Sequence, residues 1–357
     1  MRRESHFPKL RPVSDDAGLF VVKNLNEESM IQFFAALGSI LVAAVWGFAF
    51  VVVKDSLASV SATYICAMRF SIAAIILGLL FFKRIRRMKI DTLKKSAVIG
   101  VFLFLAYFFQ TVGCNYTTPG KNAFFTTGYV ILMPFFGWLV YKARPAWFVF
   151  FAAVLQIAGI GFLSLGSDIK KGISLTLGDW LTLLGSVFYC LQMFYQGFFS
   201  KKDRESDPFV YAFVQFALCA VLNWIISPFY NAESNSFTLQ IQRFPLEAFR
   251  NGHFVVSIIY LGFFSTALAF VLLNIGFKYL DFTLATILFS FESVFGMFFS
   301  VLIPVNGAKE NLSVWGVIGC VLIFIAVLLA QIKKGSSCLR FRSFCNIIFR
   351  KWTTKTP

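Results

Sequence analysis

The chain has 357 residues, 58% hydrophobic and only 14% charged, with 47 Phe, a net charge of +16 and a mean hydropathy of +0.74. A soluble domain carries about a quarter charged residues and could not bury so many aromatic rings in one core, so a multispanning membrane protein is expected instead. The seven Cys show no CxxC spacing and His6 and His253 have no partner at ligand spacing, so no disulfide framework, zinc or haem site and no cofactor is expected.

Residues 1–31 are polar and basic, without an apolar core or a small-residue cleavage site, and read as a cytoplasmic tail rather than a signal peptide. The first apolar segment is then expected to act as an uncleaved insertion signal. Ten apolar segments follow, at about 33–53, 62–82, 96–115, 122–141, 146–165, 180–199, 208–229, 254–275, 282–303 and 312–331. A helix needs roughly 20 residues to cross the hydrocarbon. Barrel strands would alternate in polarity over about ten residues, whereas these runs are apolar all round. The expected fold is an all-α membrane protein with ten transmembrane helices.

Lys54, Lys121, Lys170, Lys171, Arg243, Arg250 and Lys309 lie on one side of these spans, Arg69 lies within one, and the other 25 of the 33 Lys and Arg lie on the opposite side. Cytoplasmic segments carry the Lys/Arg excess. Both termini are therefore expected in the cytoplasm, with the protein in the cell membrane. The same split accounts for the net charge without a nucleic-acid partner. The tail 333–357, with KKGSSCLRFRSFCNIIFRKW, interleaves basic and apolar residues. It either lies on the anionic lipid surface or is a solvated positive-inside tail.

The two halves look alike. YTTPGKNAFFTTGYVILMPFFGWL at 116–139 overlays YLDFTLATILFSFESVFGMFFSVL at 279–302 with an offset of 163, and AMRF at 67–70 faces FVQF at 213–216 with an offset of 146. Each half, 32–166 and 177–332, holds five spans. Five is odd, so tandem halves enter the bilayer in opposite orientation, as inverted repeats. Secondary transporters use such repeats to form two mirror-related access states around a midplane site.

WGFAFVVVK in the first span, AMRF in the second, GYVILMPFFGWL in the fourth and FESVFGMFFSVL in the ninth, followed by KENLSVWGVIG, resemble the EamA-type family of the drug/metabolite transporter superfamily. The resemblance covers about residues 33–332. It implies a ten-helix inverted-repeat carrier, often an exporter of amino acids or other small metabolites. The family commonly has a Glu before the fifth span and another before the tenth. Glu310 matches the second, whereas the first half has KARP, with Lys142 or Ala143 in place. The family's ninth-span Glu is often followed by Pro, and here Ser293 follows.

Only Arg69 and Glu292 are charged within the ten spans. A charge at the centre of a membrane helix costs roughly 2.5–3.5 kcal/mol on insertion scales and marks function by default. Glu292 lies about ten residues from each end of its span. It is read as a proton-coupling site, as a ligand for a substrate amine, or as a protonated structural residue. Arg69, in the outer third of its span, is read as structural or gating. Helical spacing adds Tyr107 with Gln110, Thr126 with Tyr129, and Tyr189 with Gln192 and Gln196. Trp46 at similar depth, Ser293 beside Glu292, and Asn274 as a cytoplasmic gate complete the candidate substrate contacts. Pro134 is expected to break the fourth helix in mid-span. Gly159, Gly161, Gly316 and Gly319 suggest close packing of the fifth and tenth spans, or a dimer contact.

No GxxxxGK[ST] loop occurs, so an ion or substrate gradient must supply the energy. The leading reading is a secondary transporter, an exporter by the resemblance, of an amino acid or an aromatic or amine metabolite, with H+ as a coupling ion. One alternative is a nucleotide-sugar or phosphorylated-metabolite antiporter, which would need basic residues converging in the cavity. Another is a non-transporting receptor or scaffold. An enzyme is not expected, because Glu292 has no partnered base or second carboxylate in any span. The partners are then a small-molecule substrate and membrane lipids, in a monomer or homodimer.

Overall fold

Each apolar run becomes helix because lipid offers no partner for backbone N–H and C=O groups, and internal hydrogen bonds must satisfy them. A computed structural model describes residues 15–142, 144–164, 175–202, 207–231, 236–239, 241–280, 288–305, 307 and 309–330, with the side chains of 15–29 and a few helix-end residues left aside. The basic tail 333–357, the first fourteen residues, most of the connection between the halves, Ala143 and the start of the ninth segment lie outside the described residues.

The helices are α1 (Asp15–Ser56), α2 (Ala62–Leu80), α3 (Phe82–Ile85), α4 (Ile90–Tyr116), α5 (Pro119–Thr126), α6 (Gly128–Tyr141), α7 (Trp147–Ser164), α8 (Leu177–Lys202) and α9 (Pro208–Ile226). After them come α10 (Gly252–Ile259), a π-helical stretch (Tyr260–Leu268), α11 (Ala269–Tyr279), α12 (Glu292–Leu302) and α13 (Val314–Ala330). Between α9 and α10 the chain forms a two-residue antiparallel hairpin, β1 (Tyr230–Asn231) and β2 (Ser236–Phe237), and a 3-10 turn at Leu246–Arg250. The helix starts carry their sequence signatures. Asp207 accepts the Phe209 N–H at 3.0 Å before Pro208 opens α9, and Asn251 accepts the His253 N–H at 3.0 Å before α10.

Among the described residues seven helical stretches are long and apolar enough to cross a bilayer: Met30–Ser56, Ala62–Leu80, Ile90–Tyr116, Pro119–Val140, Leu177–Gln196, Pro208–Phe229 and Gly252–Gly276. Three shorter apolar helices, Trp147–Leu163, Leu288–Leu302 and Val314–Leu329, accompany them. Leu79, Leu139, Ile157, Ile225 and Val314 point outward and are exposed. In water such a surface would be an aggregation liability; against lipid it is what a span requires. The chain is a multi-pass integral membrane protein with an all-α architecture.

The fourth segment departs from expectation. Pro134 sits inside the uninterrupted helix α6, and the break falls at Thr127, seven residues earlier. There the Thr127 hydroxyl donates to the Phe124 carbonyl at 2.7 Å and the chain restarts at Gly128. The ninth segment is interrupted too. Residues 288–290 are helical, Phe291 forms a turn, and α12 begins at Glu292. At the offset of 163, Phe291 corresponds to Gly128, so the two interruptions fall one residue apart.

Helix α2 packs on α9, and α7 on α13. Helix α1 packs on α11 and α12, while α8 packs on α4, α5 and α6. Of the four candidate glycines, Gly159 and Gly319 face each other. A Cβ on Gly319 would lie 2.6 Å from the Gly159 carbonyl oxygen and 2.5 Å from the Leu163 nitrogen. Gly316 faces only Leu312 and Ser313 of its own turn. Gly319→Ala is therefore expected to force α7 and α13 apart and lower stability by about 1–3 kcal/mol. Gly137→Ala, with nothing within 4 Å of its Cβ, is expected to leave stability unchanged or slightly raised. Thermal unfolding of both variants in detergent checks the contrast.

Candidate functional site

The break in the ninth segment explains how Glu292 is tolerated. It does not sit in the middle of one long helix; it is the first residue of α12. The first turn of a helix has backbone N–H groups without intrahelical partners, and its dipole favours negative charge. Glu292 is 5% exposed, and among the described residues nothing donates a hydrogen bond to its carboxyl. Tyr107 and Tyr189 lie on α4 and α8, and Tyr129 on α6. At the offset of 163 the counterpart of Glu292 in the first half is Tyr129, the second residue of α6.

The polar residues of α4, α5 and α8 form a chain around these tyrosines. The Tyr189 hydroxyl donates to Gln110 Oε1 at 2.9 Å, and Gln110 Nε2 donates to Thr126 Oγ1 at 2.9 Å. Thr126 in turn donates to the Asn122 carbonyl at 2.8 Å, and Asn122 Nδ2 returns to the Gln110 carbonyl at 3.0 Å. The Tyr189 ring meets Tyr107 edge-on at 5.4 Å and Tyr129 at 6.3 Å. Five predicted residues, Tyr107, Gln110, Thr126, Tyr129 and Tyr189, thus converge on one another.

Arg69 is 3% exposed and reaches across to the π-helical stretch. Its Nε donates to Thr266 Oγ1 at 3.2 Å and its Nη2 to Ser265 Oγ at 3.1 Å. The Tyr107 ring centroid lies 4.8 Å from its guanidinium carbon. Trp46 docks on the same turn, its Nε1 donating to the Ser265 carbonyl at 2.9 Å, with Phe270 and Phe289 beside its ring at 5.9 and 6.1 Å.

Other candidates fall elsewhere. Gln192 donates to Gln196 at 2.7 Å and to Gln215 at 3.1 Å, which makes a separate amide cluster. Asn274 donates to the Phe270 carbonyl at 2.8 Å and Ser293 to the Ser290 carbonyl at 3.0 Å, so both satisfy their own backbone. Sequence reasoning missed Ser265, Thr266, Asn122 and Gln215. Gln215 stands in FVQF, the segment that faces AMRF at the offset of 146.

A second polar cluster gathers at the end of the bundle expected to face outward. Lys54 Nζ donates to the carbonyls of Cys114, Asn115 and Thr117 at 2.6, 3.0 and 3.0 Å, satisfying the C-terminus of α4. Thr117 donates to Asp179 at 2.5 Å, and Asp179 accepts the Thr176 N–H at 2.9 Å at the start of α8. Glu310 accepts from the hydroxyls of Thr118 and Ser300 and, at 3.1 Å, from the Gly120 N–H in the first turn of α5. Among the described residues no three His, Cys, Asp or Glu side chains gather as metal ligands do. Glu310→Ala strands three donors together and is expected to lower stability by about 1.5–3 kcal/mol in thermal unfolding, with Thr118→Val costing less.

Three likenesses bear on this arrangement. The sequence profile of the EamA-like transporter family matches residues 33–165 and 176–331. An uncharacterized transporter of Archaeoglobus fulgidus is 30% identical over 314 residues, 88% of this chain and 91% of that protein. A solved crystal structure superposes with a TM-score of 0.53 at 17% identity, over 85% of this chain and 96% of its own, a likeness of fold alone.

Proposed function

The chain belongs to the EamA-like transporter family, and from that premise we propose that it is a proton-coupled secondary exporter of a small aromatic or amine-bearing metabolite such as an amino acid. Transport proceeds by alternating access between two inverted five-span halves, with both termini in the cytoplasm. The seven long and three short apolar helices fall in the ten segments read from the sequence, which supports ten spans. The helix pairings support the two-fold relation. Exchanging the halves carries α1 on α11 and α12 into α8 on α4 and α6, while α2 on α9 and α7 on α13 map onto themselves.

The position of Glu292 carries the reading. A buried carboxyl at the start of an interrupted helix, unpaired among the described residues, binds either a proton or a cation. A substrate ammonium that arrives from the cytoplasm displaces the proton. After the cation leaves on the far side, a proton from that side neutralises the carboxyl and lets the empty carrier return. The aromatic walls suit a flat or apolar side chain, and cation–π attraction adds to the carboxylate's pull.

Purified protein in proteoliposomes is expected to move radiolabelled L-tryptophan against an imposed pH gradient. Glu292→Gln is expected to reduce this proton-driven flux at least tenfold while eluting as a folded protein. Unchanged flux with unchanged pH dependence would remove Glu292 from the mechanism.

A further inference from the structure

We infer that the connection between α9 and α10 forms a site for an anionic phospholipid at the membrane surface, with an acyl chain in the groove it makes over α2 and α9 and the lipid phosphate on Arg243.

This connection carries apolar side chains where a loop in water would be polar. Phe237, Leu239, Ile241, Leu246 and Phe249 are all exposed, Leu239 at 98%. Exposed apolar surface gathered in this way marks contact with a partner or a membrane. The loop also folds back over the end of α9. The Thr238 N–H donates to the Phe229 carbonyl at 2.8 Å and the Gln242 N–H to the Pro228 carbonyl at 2.6 Å. Phe244 then drops between two helices, its ring 5.4 Å from Tyr64 on α2 and 5.7 Å from Trp224 on α9.

That contact fixes the depth of the loop. Trp224 precedes Phe229, the last residue of its apolar stretch, by five residues, so at 1.5 Å per residue it lies about 7 Å below that end. Lipid, and not water, meets the loop's exposed side chains at this depth. Its backbone suits the position. Besides the two bonds to α9, Leu246 donates to the Phe244 carbonyl at 2.8 Å and Ala248 to that of Pro245 at 3.2 Å, and Pro245 has no N–H to satisfy.

Tyr64, Trp224, Pro228, Ile241, Gln242 and Phe244 line a groove of about 390 Å³. The Tyr64 hydroxyl is turned to the Gln242 carbonyl, at 3.5 Å, which leaves mainly rings and hydrocarbon for an occupant. Val221, Trp224 and Ile225 are exposed at i, i+3 and i+4 and form one outward stripe of α9. Trp224 belongs to both stripe and groove, so the groove is continuous with the lipid-facing surface. Arg243 is exposed between two residues that line the groove, and Arg250 is exposed after Phe249. The ion pairs among the described residues join Arg84 with Asp207, Lys95 with Asp91 and His253 with Asp55, so neither Arg243 nor Arg250 has a carboxylate, not even the exposed Glu247 between them. A phospholipid answers both features at once. Its chain takes the groove, and its phosphate accepts the paired N–H bonds that a guanidinium offers. Trp and Tyr at headgroup level belong to the same setting. Because Tyr64 and Trp224 come from different halves, the bound lipid bridges the seam of α2 on α9.

Lipid retention by the full-length protein tests this. The protein is reconstituted into vesicles of equal parts phosphatidylcholine and phosphatidylglycerol, extracted into detergent, and its retained lipid counted by native mass spectrometry. Wild type is expected to keep phosphatidylglycerol in preference to phosphatidylcholine. Arg243→Gln is expected to lower the retained phosphatidylglycerol about fivefold, the effect of one basic residue at a membrane surface. Ile241→Trp, which fills the groove, is expected to lose both lipids. A fluorophore on Leu239→Cys, in a chain with Cys320, Cys338 and Cys345 replaced by Ser, is expected to be quenched by lipids brominated along their chains and shielded from iodide. Equal retention of the two lipids by wild type, or undiminished phosphatidylglycerol in Arg243→Gln, overturns the proposal. Quenching by iodide alone places the loop in water and overturns it too. Shielding that grows with protein density in the vesicle, without quenching by brominated lipid, assigns the face to a second copy of the chain and likewise overturns it. If Ile241→Trp does not fold, Arg243→Gln, at an exposed side chain, decides.

Discussion

A carboxyl at the depth of Glu292 is tolerable only where the bilayer's ban on unsatisfied polar groups is locally lifted, and the interruption of the ninth segment lifts it. Breaking a helix inside hydrocarbon strands backbone N–H groups, and such breaks survive only where protein or a cavity meets them. Starting α12 at Glu292 sets a negative group beside those donors. The same break at Thr127 in the fourth segment is followed by Tyr129 where the other half has Glu292. At these paired positions one segment carries the ionisable group and the other a phenol.

A half-helix in a membrane must also be held at its far end. Glu310 does this for α5, where it meets the first-turn N–H of Gly120 and the hydroxyl of Thr118 together with Ser300. The residue that matched the family's acidic position before the tenth span is thus a cap supplied by one half to a helix of the other. Lys54 and Asp179 act likewise on the ends of α4 and α8. Around these fixed ends, α7 and α13 meet backbone to backbone at Gly159 and Gly319. The centre is held differently, by hydroxyl, amide and ring contacts that can re-form with new partners. That division suits a carrier whose central faces must separate while its edges stay joined.

Much of this was legible in the sequence, and the failures are specific. Spans were readable because hydrocarbon demands about 20 apolar residues whatever their identity. The convergence of Tyr107, Gln110, Thr126, Tyr129 and Tyr189 followed from helical spacing and shared depth. Pro134 misled because a missing N–H weakens a membrane helix without ending it, whereas Thr127, whose hydroxyl can bond a carbonyl of the preceding turn, ended one. The π-helical stretch was invisible for a different reason. YLGFFSTALAF is apolar almost all round, so no polar face records whether its turns close at four residues or five. The partners of Arg69 and Trp46 lie on that stretch, so the sequence reads Arg69 as structural or gating without showing which groups it meets. Ser293 and Asn274 bond their own preceding turns, as a polar side chain in an apolar helix most readily does.

The offset of 146 that sets AMRF against FVQF also pairs Trp46 with Gln192 and Arg69 with Gln215. In the second half those two positions bond each other, Gln192 to Gln215. In the first half both instead reach over to Ser265. The proposed two-fold frame therefore holds, at equivalent positions, a neutral amide pair on one side and a cation with an indole on the other. With Glu292 facing Tyr129 across the same frame, both central charges depart from the symmetry at once. A carrier needs matched halves to interchange its two open states, but it needs unmatched chemistry to grip one substrate in one orientation. On the proposed reading the backbone meets the first requirement, and four side chains, Trp46, Arg69, Tyr129 and Glu292, meet the second.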